Sequence, residues 1–269
     1  MKACILYRED QSNKGERKVA EKYFPVVSSR LDCEGYNLVI PRYSALPFYR
    51  ELETDLTKLR ARMINSHLEH QYVANFDYYE DLKDVTPETW FRPVDVPKDS
   101  GPWVLKGRTN SRKFQWGTHM FAANWERLGE VYNELMNDPL IGQQDVIIRR
   151  YVELEKVEDS IAGPPFTNEW RFFFYKGIYL ESGYYWSSAD KEGKLDTKGG
   201  MLAHQIANRI KDQIPFVVID IAKTAEGKWI LIELNDGQMS GLSMCNPVNL
   251  YARLQYELGK EGYESPKET

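Results

Sequence analysis

FVVIDIAKTAEGKWILIELNDG, residues 216 to 237, decides the fold: two apolar strands run either side of Glu226-Gly227, and three hard oxygen ligands stand among residues with the composition of a core. Strand alternation places Val218 and Asp220 on one face of the first strand, and Leu231, Glu233 and Asn235 on one face of the second. A hairpin centred on Glu226-Gly227 sets Asp220 opposite Glu233, with Asn235 the next neighbour on that face. An unpaired carboxylate on a buried face costs on the order of several kcal/mol or is forced to protonate, so a compensating cation is the economical reading. Carboxylate and amide oxygens without His or thiolate suit Mg²⁺ or Mn²⁺, and Mg²⁺ held by few protein oxygens usually carries substrate phosphates too. The plainer alternative is a half-exposed hairpin whose acids face water.

Working outward, EWRFFFYKGIYLESGYYW, residues 169 to 186, reads as a second hairpin about Lys176-Gly177. Trp170, Phe172 and Phe174 share one face and suit core packing better than base stacking. Glu169, Arg171 and Phe173 share the other, where Arg171 either stabilises spreading phosphoryl charge or pairs with Glu169 or Glu181. Upstream, PWVLKG at 102 to 107 is a compact strand in which Lys106 shares the face of Val104. A lysine there needs an anion: a nucleotide phosphate or an acid of the same sheet. The loop after it, RTNSRKFQWG, offers Arg108, Ser111, Arg112 and Lys113 as further phosphate donors, with a solvated surface loop as the alternative for Arg112 and Lys113. It contains no G-x-x-x-x-G-K-[ST] motif, which argues against a P-loop NTPase. DVIIRRYVELE at 145 to 155 is another strand; the backbone of Arg150, Tyr151 and Val152 suits an adenine edge, and Glu153 or Glu155 a ribose hydroxyl.

The amino-terminal part opens βαβ-like: ACILY at 3 to 7, a charged helix from Gly15 to Phe24, and NLVIPRY at 37 to 43. Helices follow at Phe48 to Met63 and near Asn75 to Leu82. Thr86 to Pro102 carries four prolines and reads as a linker. Asn124 caps a helix from Trp125 to Met136, His204 to Ile214 is a short helix, and Pro247 to Leu258 closes the fold. The expected domains are 1–98, 99–262 with a mostly antiparallel sheet, and a flexible tail at 263–269. The fold class is α+β with an α/β-type amino-terminal part.

With 269 residues, 42% of them apolar, the chain can bury a large core, and a net charge of −5 argues against an affinity built on nucleic-acid phosphates. Three cysteines without a C-x-x-C pair fit a reducing, cytoplasmic setting, and no stretch approaches the roughly 20 apolar residues of a membrane span. Among the four histidines, His67 and His70 stand one helical turn apart, as a metal pair or an exposed helix face.

The order of these residues resembles the ATP-grasp superfamily from Trp103 to Leu242, most specifically in the D…G-x-W-x-L-I-E-L-N pattern from Asp220 to Asn235. Within it the chain is similar to the R2K clade of phages and bacteria, named for two arginines and a lysine, with Arg150, Arg171 and Lys106 as the matches. The resemblance implies ATP and Mg²⁺ (or Mn²⁺), with Asp220, Glu233 and Asn235 as metal ligands, Lys106 on the α and β phosphates, and Arg171 steadying the γ-phosphate. It further implies ligation of a small-molecule or peptide carboxylate to an amine through an acylphosphate, with Asp236, Ser240 and Gly241 bordering the acceptor. A hydroxyl kinase on the same scaffold and a non-catalytic nucleotide-binding protein are the alternatives. Two departures stand out: Arg150 occupies a hinge position where the family has an acid, and the glycine-rich phosphate lid is replaced by RTNSRKFQWG, whose basic side chains must do the work of backbone amides.

Overall fold

The apolar runs ACIL and LVIP are buried at every position and become adjacent parallel strands β1 (Ala3–Leu6) and β3 (Leu38–Pro41) in a computed structural model that describes residues 1–8, 14–109, 111–160 and 163–264. Between them lie α1 (Lys14–Ala20) and the two-residue β2 (Val26–Val27); α2 (Tyr49–Lys58) and β4 (Arg62–Met63) complete a parallel sheet of order β2-β1-β3-β4. The βαβ-like reading holds, extended by two edge strands too short to show periodicity. Next comes α3 (His67–Ala74), started by a capping box between Ser66 and Glu69, and then α4 (Tyr78–Leu82).

The stretch read as a linker contains β5 (Thr89–Trp90), which pairs with β8 (Val146–Arg150) in a sheet of order β5-β8-β6-β7. The prolines interrupt the segment only outside those two residues, so it is stitched into a sheet across the division expected near Asp99. β6 (Trp103–Gly107), β7 (Phe121–Ala122) and α5 (Trp125–Asn137) supply the rest of this unit; Asn124 caps α5 with its side-chain oxygen on the Arg127 amide at 2.9 Å. Trp103, Leu105, Leu128, Val131 and Ile148 form its core.

A third sheet, order β12-β11-β13-β14, contains both hairpins: β11 (Glu169–Tyr175) with β12 (Ile178–Tyr184), and β13 (Phe216–Lys223) with β14 (Trp229–Asp236). The antiparallel half is therefore two four-stranded sheets rather than one. The chain leaves β8 at Arg150 and meets the third sheet through the isolated bridge Leu154–Thr224, passing on through the two-stranded ribbon β9 (Lys156–Glu158) and β10 (Phe166–Thr167). The third sheet is covered on both sides, which explains its near-continuous apolar run. Phe173 and Val218 pack against Ile5, Leu38 and the closing helix α7 (Pro247–Lys260). Phe172, Phe174, Val217 and Ile219 pack against α6 (Thr197–Ile210), α3 and α4, so the aromatic face of EWRFFF is core.

Tyr263, expected in a flexible tail, is 7% exposed, and the Glu264 amide donates to the Met1 carbonyl at 2.7 Å. Residues 265–269 of that tail lie outside the described residues. Among the described residues no helix is long and apolar enough to cross a membrane.

Candidate active site

Cross-strand register lines up Gly183, Arg171, Asp220 and Glu233 on β12, β11, β13 and β14. Directly opposed residues share a face, so three ionisable groups form one row across the sheet. Arg171 grips Asp220 in a bidentate pair, Nε to Oδ1 at 2.9 Å and Nη2 to Oδ2 at 2.8 Å. Its Nη1 donates to the Gly241 carbonyl at 2.8 Å. Asn235 Nδ2 donates to Asp220 Oδ2 at 3.1 Å and to Glu233 Oε1 at 3.2 Å, so the three expected metal ligands do converge. Lys106 reaches from the second sheet to pair with Glu233, an acid of the opposite sheet rather than its own. Gly183 ends the row because a Cβ there would lie 2.4 Å from the Cys245 amide nitrogen; the loop carrying Gly241 crosses at that point.

Hairpin pairing sets Asp220 opposite Glu233 as read from sequence, but the register shifts between Asp220 and Ile221, so Ile221 faces Leu231. The extra residue is a bulge that turns Leu231 into the opposite core, while Ile232 and Glu233 both line a cavity between the second and third sheets. Alternation alone had set Leu231 on the face of Glu233. A bulge has no sequence signature in this strand.

Burial opposes charge on Glu233, but the ammoniums of Lys106 and Lys113, with hydrogen bonds from Lys106 and Asn235, hold its carboxyl below the ordinary glutamate range. Glu169 lies on the other side of that balance. Burial, set against the nearby Lys113 and reinforced by the charges of Asp220 and Glu233, pushes it up to about 7. Burial disfavours the Arg171 guanidinium too, yet Asp220 more than compensates and raises it.

The cavity, of about 270 Å³, is lined by Lys106, Lys113, Tyr151, Val152, Glu153 and Glu233 among others. The amides of Arg150 and Tyr151 are spent on Glu88 and Pro102 carbonyls at 2.8 and 2.9 Å, whereas Val152 makes no backbone hydrogen bond among the described residues, which leaves both its groups available to a ligand. The side chains of three expected residues are committed elsewhere, although Arg150 itself still lines the cavity. Arg150 is opposite Trp103, on the face away from Lys106, with its guanidinium on Glu88 at 2.6 Å and on the Ser100 carbonyl at 2.6 Å. Glu155 is committed to Asn168 at 2.8 Å and Lys223 at 3.0 Å. Arg112 is clamped by Asp138 through two contacts of 2.6 Å.

Arg149, which the sequence reading passed over, takes the position on the cavity side. It pairs with Val104, shares the face of Lys106, and is 6% exposed. Its guanidinium donates to the Ile232 carbonyl and to Thr86 Oγ1 at 2.6 Å, and burial lowers its basicity. Alternation in IIRRY separates the two arginines; only the pairing of Lys106 with Ile147 tells which one faces inward. Asp236 is buried behind the row, accepting from Asn65 at 2.7 Å and from Tyr49 at 3.1 Å, and it contacts His70 Nδ1 at 3.1 Å. His70 is thus a buried partner of an acid, not half of an exposed or metal-binding pair. Among the described residues no three His, Cys, Asp or Glu groups gather; the hard-cation donor set is two carboxylates and one amide.

The chain belongs to the family described as ATP-grasp domain, R2K clade family 3, which matches residues 93–254. Its fold is the ATP-grasp fold. D-cycloserine synthetase DcsG superposes with a TM-score of 0.60 at 12% identity, covering 95% of this chain and 99% of that one. D-alanine–D-alanine ligase from Bacillus anthracis, complexed with ATP, gives 0.56 at 12% identity, with 97% and 99% covered. The ATP-grasp ligase PsnB, complexed with precursor peptide PsnA2 and AMPPNP, gives 0.59 at 9% identity, with 95% and 96% covered. No curated protein matches the sequence.

Proposed function

We propose that this protein is an ATP-dependent ligase that joins a carboxylate to an amine through an acylphosphate. The reading is carried by one arrangement: the Arg171–Asp220–Glu233 row on the third sheet, met from the second sheet by Lys106. Family membership and the full-length likeness to three ligases support it.

ATP would lie between the two sheets, its base against the free backbone groups of Val152 and its ribose near Glu153. Lys106 and Arg149 both face that space and would take phosphate oxygens as point charge and fork. The donor set fits Mg²⁺: Glu233 is held ionised, Asp220 lies beside it, and half a turn of the Asn235 amide would offer its oxygen. Bound there, Mg²⁺ would neutralise charge building on the triphosphate. A cation at Glu233 would also release Lys106 from its present ion pair toward the phosphates. A substrate carboxylate oxygen then bonds to the γ-phosphorus as the bond to ADP breaks. An amine nitrogen next bonds to the acyl carbon, phosphate departs, and the amine loses a proton. Arg171, fixed by Asp220 and the Gly241 carbonyl, would steady the transferring group.

Amino acids, polyamines and peptides should be screened for acceptor-dependent ADP release, with mass spectrometry of the product. An amide product is expected. A stable phosphorylated product formed without any amine would overturn the ligase reading.

A further inference from the structure

Lys113 does not extend into solvent from its loop. Its ammonium lies 4.3 Å from the centroid of the Tyr185 ring and 5.2 Å from that of Trp186, and donates to the Tyr185 hydroxyl at 2.6 Å. The two rings stand nearly perpendicular, at 79°, and so form two walls around one cation. Glu169 lies close enough for its charge to act on Lys113 and is 4% exposed; its backbone carbonyl accepts from the Tyr185 amide at 3.0 Å, while its carboxylate accepts no hydrogen bond from any described residue. Trp186, Glu169 and Lys113 all line the cavity that contains Lys106 and Glu233.

Resting on the nucleotide-binding reading above, we propose that Tyr185, Trp186 and Glu169 form the binding site for the ammonium group of the acceptor substrate, closed by Lys113 while the nucleotide is absent. The chemistry of the walls decides the occupant. Two ring faces and a buried carboxylate attract a cation and repel phosphate, and Arg171 already lies 4.9 Å over the same Tyr185 ring. The cage belongs to β11 and the two residues that follow β12, whereas Lys113 belongs to the connection between β6 and β7, on the other sheet. A triphosphate docked at Lys106 would draw the Lys113 ammonium toward it and leave the cage open. The acceptor amine would then be held within the cavity where the acylphosphate forms. Nucleotide would have to bind first.

The test uses the full chain and n-butylammonium chloride as the probe, titrated by NMR with and without a saturating non-hydrolysable ATP analogue and Mg²⁺. The analogue should tighten probe binding at least about tenfold, the scale of a partly desolvated cation–π site, while neutral n-butanol gains nothing. Glu169→Gln, which preserves shape, and Trp186→Ala should each remove that gain and leave affinity for the analogue within about twofold. Tight analogue binding with no gain for the probe, or a gain that survives both substitutions, overturns the ammonium site alone. Failure of the wild type to bind the analogue overturns the nucleotide reading and this inference with it.

Discussion

Glu169→Gln should stabilise the metal-free, nucleotide-free protein, and by an amount that grows with pH. In the folded chain this carboxyl titrates near 7, against an ordinary value of 4.5, with burial as the main cause. A raised carboxyl means that the folded state binds the proton more tightly than the unfolded state. Its contribution is fully favourable below 4.5 and is lost as pH rises through about 7. At about 1.36 kcal/mol per unit, ionising Glu169 costs the fold about 1 kcal/mol near pH 5 and about 3 kcal/mol near pH 8. Glutamine keeps the shape without the charge. Urea unfolding of both proteins should therefore show the variant's advantage widening by about 2 kcal/mol between those two pH values. A constant difference, or one that narrows as pH rises, would refute the claim that this acid is buried without adequate compensation.

Lys106→Met should weaken ATP binding at least tenfold, about 1.4 kcal/mol by calorimetry, and an unchanged affinity would contradict its phosphate role. Arg149→Ala should weaken ATP binding by a similar factor of about ten while Arg150→Ala stays within about twofold; the reverse order would show that the wrong arginine has been placed on the cavity. Asp236→Ala strands the buried donors of Asn65 and Tyr49 and should cost about 2 to 4 kcal/mol in denaturant unfolding; a loss below about 0.5 kcal/mol would show the network to be dispensable.

The hairpin from Phe216 to Gly237 was legible because its glycine turn, its apolar strands and its oxygen ligands agree, and the structure keeps Asp220 opposite Glu233, although the bulge takes Leu231 off the face that alternation gave it. The Lys176-Gly177 hairpin was legible for the same reason: Lys176 and Gly177 adopt φ of 48° and 79°, as a two-residue turn between antiparallel strands demands. Long-range register was not legible. Whether Arg149 or Arg150 faces the nucleotide depends on pairing with a strand some forty positions upstream, roughly the distance at which local pattern carries no information. The bulge at Ile232 and the division into two antiparallel sheets are likewise decided by packing, the latter by α5 and its separate core. Arg112 and Glu155 carried the right charge, but each found a closer partner, Asp138 for one and Lys223 with Asn168 for the other. Arg171 escaped both partners expected of it, because register set it against Asp220 rather than Glu169 or Glu181.

The most direct measurement is a calorimetric titration of ATP into the wild type with Mg²⁺, into the wild type with the metal chelated, and into Glu233→Ala. Binding with Mg²⁺ that weakens at least about tenfold both on chelation and in the variant is the predicted result, with circular dichroism showing the variant folded. A folded wild type that gives no heat, or identical isotherms in all three titrations, would contradict the assignment of the Asp220–Glu233–Asn235 cluster to a metal–nucleotide site.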